Sequence, residues 1–370
     1  MFKLRFSIDP FLDSSFYQDF DNSPVVVFDA GAAGEVFSLF PHGNNKAIYH
    51  CFEPNPESNK KLLKKYKSVL NLNIHDLALS DINGKLNFRT FKSTPLNSSL
   101  YANDIVLDDS LDEYSEIDVD AKTLDLFCVD NDKPDFIKLD TEGSEHLVLQ
   151  GGAKIIESNV LGIVTEVKFM PLSDNMSRFN EINAILDNHG FILTDMQLSR
   201  MNRSGRNGIG GKKGAIDTAY VLYLRDFFKY YESLENKDNA FKRDKLLKML
   251  SIVSNYLYFD YAVELVEFGK EQSLLTEEEA NTLYNVFCTR TDIAWKVPDF
   301  PGKSKLVLIF DALSYLFSPE LKLAVPPFHN SLGNRRSFLI KKKREDTTDL
   351  YYPVRSNTDR NYLRHTIKTK

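Results

Sequence analysis

The sequence predicts an α/β fold: a doubly wound, mostly parallel sheet followed by a C-terminal helical extension. Three observations predict it. Short β-rich runs lie at 24–29, 47–53, 70–76, 135–140 and 160–166; all but the alternating 70–76 are largely continuous apolar runs, as strands buried on both faces are. Helix-like segments at 56–66, 145–158 and 178–188 separate several of these runs. Each strand-like run ends in carboxylates or a glycine turn, where an open sheet places its ligands.

Taken in order, residues 1–23 form a lead segment and 24–225 the α/β domain. Pro24-Val25-Val26-Val27-Phe28-Asp29 is β-branched and runs into Gly31 and Gly34. The segment from Pro56 begins with the residue best tolerated at a first helical position. The segment ending at Asn188 is followed by His189-Gly190, a glycine stop. Residues 84–89 read as an added strand, and 104–120 as an acidic, solvated loop. Residues 190–199 and 218–225 read as a hairpin closing the sheet, joined by a Gly- and Lys/Arg-rich surface loop at 201–217. From 226 to 300 apolar residues fall at helical spacing, as in Leu246, Leu247, Leu250, Val253 and Leu257, and Thr276 to Glu279 reads as a capped helix start. A tail follows at 301–370. From 335 it carries eleven Lys/Arg against four Asp/Glu, and is expected to be loosely ordered.

Composition excludes several classes. Over 370 residues the hydrophobic fraction is 42% and the charged fraction 26%, which rules out wholesale disorder, collagen and coiled coil. The net charge of −6 disfavours a nucleic-acid partner. The basic tail leaves room for weak contact with an anionic surface. The three cysteines, Cys51, Cys128 and Cys288, form no close pair and read as reduced, buried thiols, so a cytoplasmic location is expected. The N-terminus has no apolar core of a secretory signal. The longest apolar-leaning uncharged run, 249–259, is far short of the roughly 20 residues that span a bilayer.

The chemistry-bearing residues follow the strands. In Asp29-Ala30-Gly31-Ala32-Ala33-Gly34 the glycines allow a sharp turn and close approach of a ligand, with a helix N-terminus expected next. The pattern lacks the first glycine of the dinucleotide fingerprint. An acidic strand end would repel a diphosphate and suit a ligand bearing an amino group. Glu53, in Phe52-Glu53-Pro54-Asn55-Pro56, can accept both hydroxyls of a ribose. Asp76 can accept from an adenine amino group, with Leu77 against the ring; a plain turn aspartate fits as well. Lys138-Leu139-Asp140-Thr141-Glu142-Gly143-Ser144-Glu145 gathers three carboxylates, at a cost in desolvation and repulsion. Asp140 is the candidate general base, also facing the cofactor; Glu142 is placed to position substrate or a cation. Glu145 reads as a first-turn helix charge. Lys138 would be buried and needs carboxylate partners, for which Asp29 and Glu166 are the candidates. Asn97, Ser98, Ser99 and Glu166 are candidate substrate contacts; a simple turn accounts for the first three equally well. No dedicated metal-ligand set stands out, and a divalent cation is possible without direct support.

Together these motifs resemble the FkbM-type family of S-adenosylmethionine-dependent methyltransferases across roughly 24–225. The resemblance rests on the Asp29–Gly34 turn, Phe52 to Pro56, Ala78-Leu79-Ser80-Asp81 with Gly84, Asn97 to Leu100, Thr123-Leu124-Asp125, Asp135 to Glu145, and Glu166-Val167. It implies a seven-stranded class I methyltransferase fold, S-adenosyl-L-methionine as cofactor, and methyl transfer to a hydroxyl of a sugar, glycan or secondary metabolite. It does not reach residues 226–370. Two other readings remain: a non-catalytic cofactor sensor or scaffold on the same fold, and a dinucleotide-dependent oxidoreductase, against which the glycine spacing counts.

Overall fold

The structure is a computed structural model of the chain, and it describes residues 11, 14–40, 46–91, 98, 100, 114–170, 175–201, 214–288 and 306. Asn97, Ser99, the tail from 335 and most of the loop at 201–217 lie outside the described residues. Residues 1–201 and 215–298 form one unit, which carries the described strands and helices.

Ten strands form two sheets: β1 (Val25–Ala30), β2 (Ala47–Phe52), β3 (Leu72–His75), β4 (Ala78–Leu79), β5 (Gly84–Phe91), β6 (Tyr114–Lys122), β7 (Phe136–Leu139), β8 (Gly162–Lys168), β9 (Phe191–Met201) and β10 (Ala215–Arg225). The main sheet has seven strands in the order β3-β2-β1-β7-β8-β10-β9. The first five are parallel, and β10 runs antiparallel between β8 and β9. This is the strand order expected of a seven-stranded class I methyltransferase fold. The chain reverses beside β1, between β1 and β7, and opens a crevice at the strands' carboxyl ends.

The helices are α1 (Pro56–Tyr66), α2 (Leu124–Phe127), α3 (Glu145–Gly151), α4 (Ala153–Ser158), α5 (Phe179–Asn188), α6 (Phe227–Ser233), α7 (Asn239–Asn255), α8 (Phe259–Glu271) and α9 (Glu277–Cys288). Asn55 caps α1 by accepting from the N–H groups of Glu57 and Ser58. Thr276 and Glu279 close a reciprocal capping box at α9. The single helix expected over 145–158 is broken at its glycines. A Cβ on Gly151 would lie 2.1 Å from Ser80 O, and one on Gly152 2.6 Å from Leu124. The close approach needs both glycines, and Asp125 caps the second piece by accepting from the N–H groups of Lys154 and Ile155.

Two expectations fail here. The acidic stretch 104–120 is not loop throughout, because β6 begins at Tyr114 and pairs with β5 in a separate three-stranded sheet, β4-β6-β5. Its acid count hides a two-residue period: Val119 and Ala121 are buried while Asp118 and Asp120 face out. The helix expected after β1 is also missing, since residues 31–40 are irregular. Side chains satisfy that backbone instead. Asp29 accepts from Phe37 N–H, the Tyr49 hydroxyl meets both Phe40 N–H and C=O, and Asn255 donates to Leu39 C=O.

Each face of the main sheet buries its own core. One face packs Phe28, Ile137, Ile163 and Val221 against α2 to α5. The other packs Val27, Phe136, Val164 and Leu222 against segment 31–40 and helices α6 to α9. The buried Asp135 just before β7 joins α7 to the sheet, through Lys245 at 2.5 Å and Lys248 at 3.0 Å. Cys51 and Cys128 are buried free thiols, whereas Cys288 is exposed, contrary to expectation. Among the described residues no helix is long and apolar enough to cross a membrane.

Candidate active site

A cleft of about 510 Å³, its open mouth included, lies at the carboxyl ends of β1, β2 and β7. Gly31, Glu53, Asp140 and Glu142 all line it, with Ala78, Leu79, Phe88 and Leu100 forming an apolar side that the small sheet helps to build. Gly31 has φ +79°, and a Cβ there would meet Asp140 O at 1.9 Å. The turn therefore needs glycine both for its conformation and for its contact with β7. Glu53 is 3% exposed. Burial pushes its carboxyl up to about 7, although it accepts from Asn55 N–H. Ser98 also lines the cleft and accepts from the Asn55 side chain at 3.1 Å.

Strand register assembles the second wall. Leu139 pairs with Thr165, and Glu166 with Tyr220, so Asp140 and Glu166, near the ends of β7 and β8, come side by side with Tyr220 in the middle of β10. All three lie on the sheet face that carries Phe136, Val164 and Leu222 lower down. Lys138 lies in this row, 3.1 Å from Asp29 and 3.5 Å from Asp140, and donates to Gly31 C=O. Burial opposes its charge, yet Asp29 and Asp140 hold its pKa above the ordinary lysine value. The second partner expected for Lys138 is Glu166. That carboxylate instead pairs with Lys168 at 2.8 Å, and Lys168 also reaches Glu142 at 3.3 Å. Burial raises both acids, Glu166 to about 7. Glu142 holds a left-handed φ of +56°, a strain of order 1 kcal/mol. Glu145 is more than a first-turn charge: its Oε1 accepts from the N–H groups of Thr141 and Gly143 and so fixes this loop.

Other expected site residues lie elsewhere. Asp29 is fully buried, held by Phe37 N–H and Lys138, and does not line the cleft. Gly34 and Asp76 are exposed and Leu77 is half-buried, none of them lining the cleft; the neighbouring Ala78 and Leu79 line it instead. Glu166 does not line the cleft and pairs with Lys168. Carboxylate oxygens of Asp140, Glu142 and Glu166 lie within 4.8 Å of one another, a hard-oxygen set of the kind magnesium or calcium takes. Lys168 already supplies a positive charge to two of the three. Sequence reasoning misses Lys168 and Tyr220. The signal for Tyr220 lies in the two-residue period of β10, which sets it on the face opposite the buried Ala219 and Val221.

Part of the chain is similar to known proteins. Residues 29–193 match the model of the methyltransferase FkbM domain. Among solved structures, the FkbM methyltransferase of Methylobacillus flagellatus KT aligns at 17% identity over 54% of this chain and 43% of that one, with a TM-score of 0.29. The magnesium protoporphyrin IX methyltransferase of Synechocystis, with bound SAM, aligns at 10% over 57% and 74%, TM-score 0.31. Aeropyrum pernix fibrillarin aligns at 11% over 54% and 66%, TM-score 0.28. The chain thus spans less than half the length of the first of these. No curated protein matches. The match begins at Asp29, the last carboxylate before the Gly31 turn, so residues 29–193 of this chain are similar to a methyltransferase FkbM domain.

Proposed function

We propose that the protein is an S-adenosylmethionine-dependent O-methyltransferase acting on a hydroxyl of a sugar, glycan or secondary metabolite. The observation that carries this reading is that Gly31, Glu53 and Asp140 line one cleft. The residues fit the cofactor: the glycine turn gives a cradle that a Cβ would fill, Glu53 offers carboxylate oxygens to ribose hydroxyls, and Leu79 gives an apolar surface for a base. When bound, the cofactor supplies an activated methyl group. The chain's own work is then to hold an acceptor oxygen in line and to take its proton. Asp140 is the acid–base group placed for that, with Glu142 beside it to hold the acceptor. Its acceptors are small hydroxyl compounds or glycans, its partners include no nucleic acid, and it works in the cytoplasm.

The test is transfer of a labelled methyl group from S-adenosylmethionine to glycan and metabolite extracts. Label that survives mild base, as an ether does and an ester does not, supports the reading. Tight binding of S-adenosylhomocysteine without any transfer would leave the cofactor-sensing scaffold.

A further inference from the structure

We propose that Tyr220 is a positioning residue for Asp140, turning that carboxylate so that one chosen oxygen faces the acceptor. The inference rests on Asp140 being the base. Tyr220 donates its hydroxyl to Asp140 Oδ2 at 2.9 Å, and Lys138 stands 3.5 Å from the same oxygen. Both donors thus converge on Oδ2, and among the described residues none takes Oδ1. A carboxylate held by one oxygen at the edge of a cleft presents the other to whatever enters. An unanchored carboxylate would rotate about its terminal torsion, which is broad and nearly two-fold, and would lose that bias.

The two anchors differ in kind. Lys138 also binds Asp29 and Gly31 C=O, so it serves the β1 turn as much as Asp140. The Tyr220 hydroxyl is given to Asp140 and comes from β10, the antiparallel strand beyond β8, across from Glu166. Burial, then Asp140 and Glu166, push the phenol well above its ordinary pKa, so it stays a donor wherever the enzyme works. The antiparallel strand thereby sets the direction of a base that belongs to the parallel part of the sheet.

The test uses the full chain with aspartate labelled at the carboxyl carbon, the Asp140 resonance being assigned by its loss in Asp140→Asn. The groups facing Asp140 are Lys138, Glu142, Glu166 and Tyr220, so the titration is run in wild type and in Tyr220→Phe, and repeated with Glu166→Gln in both. The expected result is an Asp140 midpoint about one pH unit higher in Tyr220→Phe, a tenfold weaker hold on the charged form. A midpoint within about 0.2 units of wild type overturns the proposal. Affinity for S-adenosylhomocysteine should stay within about threefold. Loss of that affinity from wild type itself would sink the cofactor reading, while the Asp140 titration would still decide the role of Tyr220. With an acceptor in hand, Tyr220→Phe should lower kcat on the order of tenfold at constant KM for S-adenosylmethionine. A raised KM at unchanged kcat would make Tyr220 a binding residue and overturn the assignment.

Discussion

The two walls of the cleft are built in opposite ways. On the β1–β2 side the chain presents a backbone turn at Gly31 and one buried acid, Glu53, fixed by the N–H two residues on. On the β7–β8–β10 side it presents an ion network in which Lys138 and Lys168 divide four carboxylates between them. The first wall is local: short stretches of consecutive residues determine its shape. The second exists only once strands 80 residues apart are aligned, as the Tyr220–Asp140 bond is. Shape for a cofactor can be written in one turn, whereas charge balance for a reaction needs the finished sheet.

The sharpest way to break this contrast is Asp140→Asn. Turnover should fall about 10²- to 10⁴-fold, while calorimetric affinity for S-adenosylhomocysteine changes less than about threefold. Equal loss of both would assign Asp140 to the cofactor wall. Next in size, Gly31→Ala should destabilise the fold by about 2–4 kcal/mol, because backbone stands where the Cβ would go. A melting temperature equal to wild type would show that the turn gives way. Glu53→Gln should weaken S-adenosylhomocysteine by about 10- to 100-fold at pH 8, through loss of charge-assisted bonds of about 1.5–3 kcal/mol. Unchanged affinity would remove the ribose role. Because Glu53 titrates near 7, wild-type affinity should also rise from pH 6 to pH 8.

The smallest effect is a tilt in stability. Glu166 has its folded-state pKa raised from 4.5 to about 7, so the folded protein holds its proton more tightly than the unfolded chain. Its contribution is therefore complete below about 4.5 and is lost as pH rises through 7. Relative to wild type, Glu166→Gln should gain in melting temperature as pH goes from 5 to 8. A constant difference across that range would show that Lys168 keeps Glu166 charged throughout.

Much of the first wall was legible in the sequence. A run of Val marked β1, Pro56 marked the start of α1 at its observed residue, and Glu53 stood at the end of a strand. Less was legible wherever a partner comes from far along the chain. Asp29 looks like a ligand because it borders the glycine turn; Phe37 N–H and Lys138 occupy it because the expected helix is replaced by a segment tied down by side chains. Lys138 does need carboxylate partners, as its place on the strand implies, but Lys168, two residues past Glu166, claims one of the acids expected for it. The strand β6 was hidden by its charge, since counting acids ignores that Glu116, Asp118 and Asp120 share one face. Local propensity cannot report such choices, which are made by register.

Asp135 carries one last consequence. Fully buried at the root of β7, it answers to two lysines of α7, more than 100 residues later in the chain. Removing either lysine alone unbalances a charge that has no water to turn to, so the three positions are tied to a common fate. Change there must come in concert or not at all, and a gene shortened after β10 would leave that acid stranded. The late helices belong to the protein's inheritance in the way a keystone belongs to its arch.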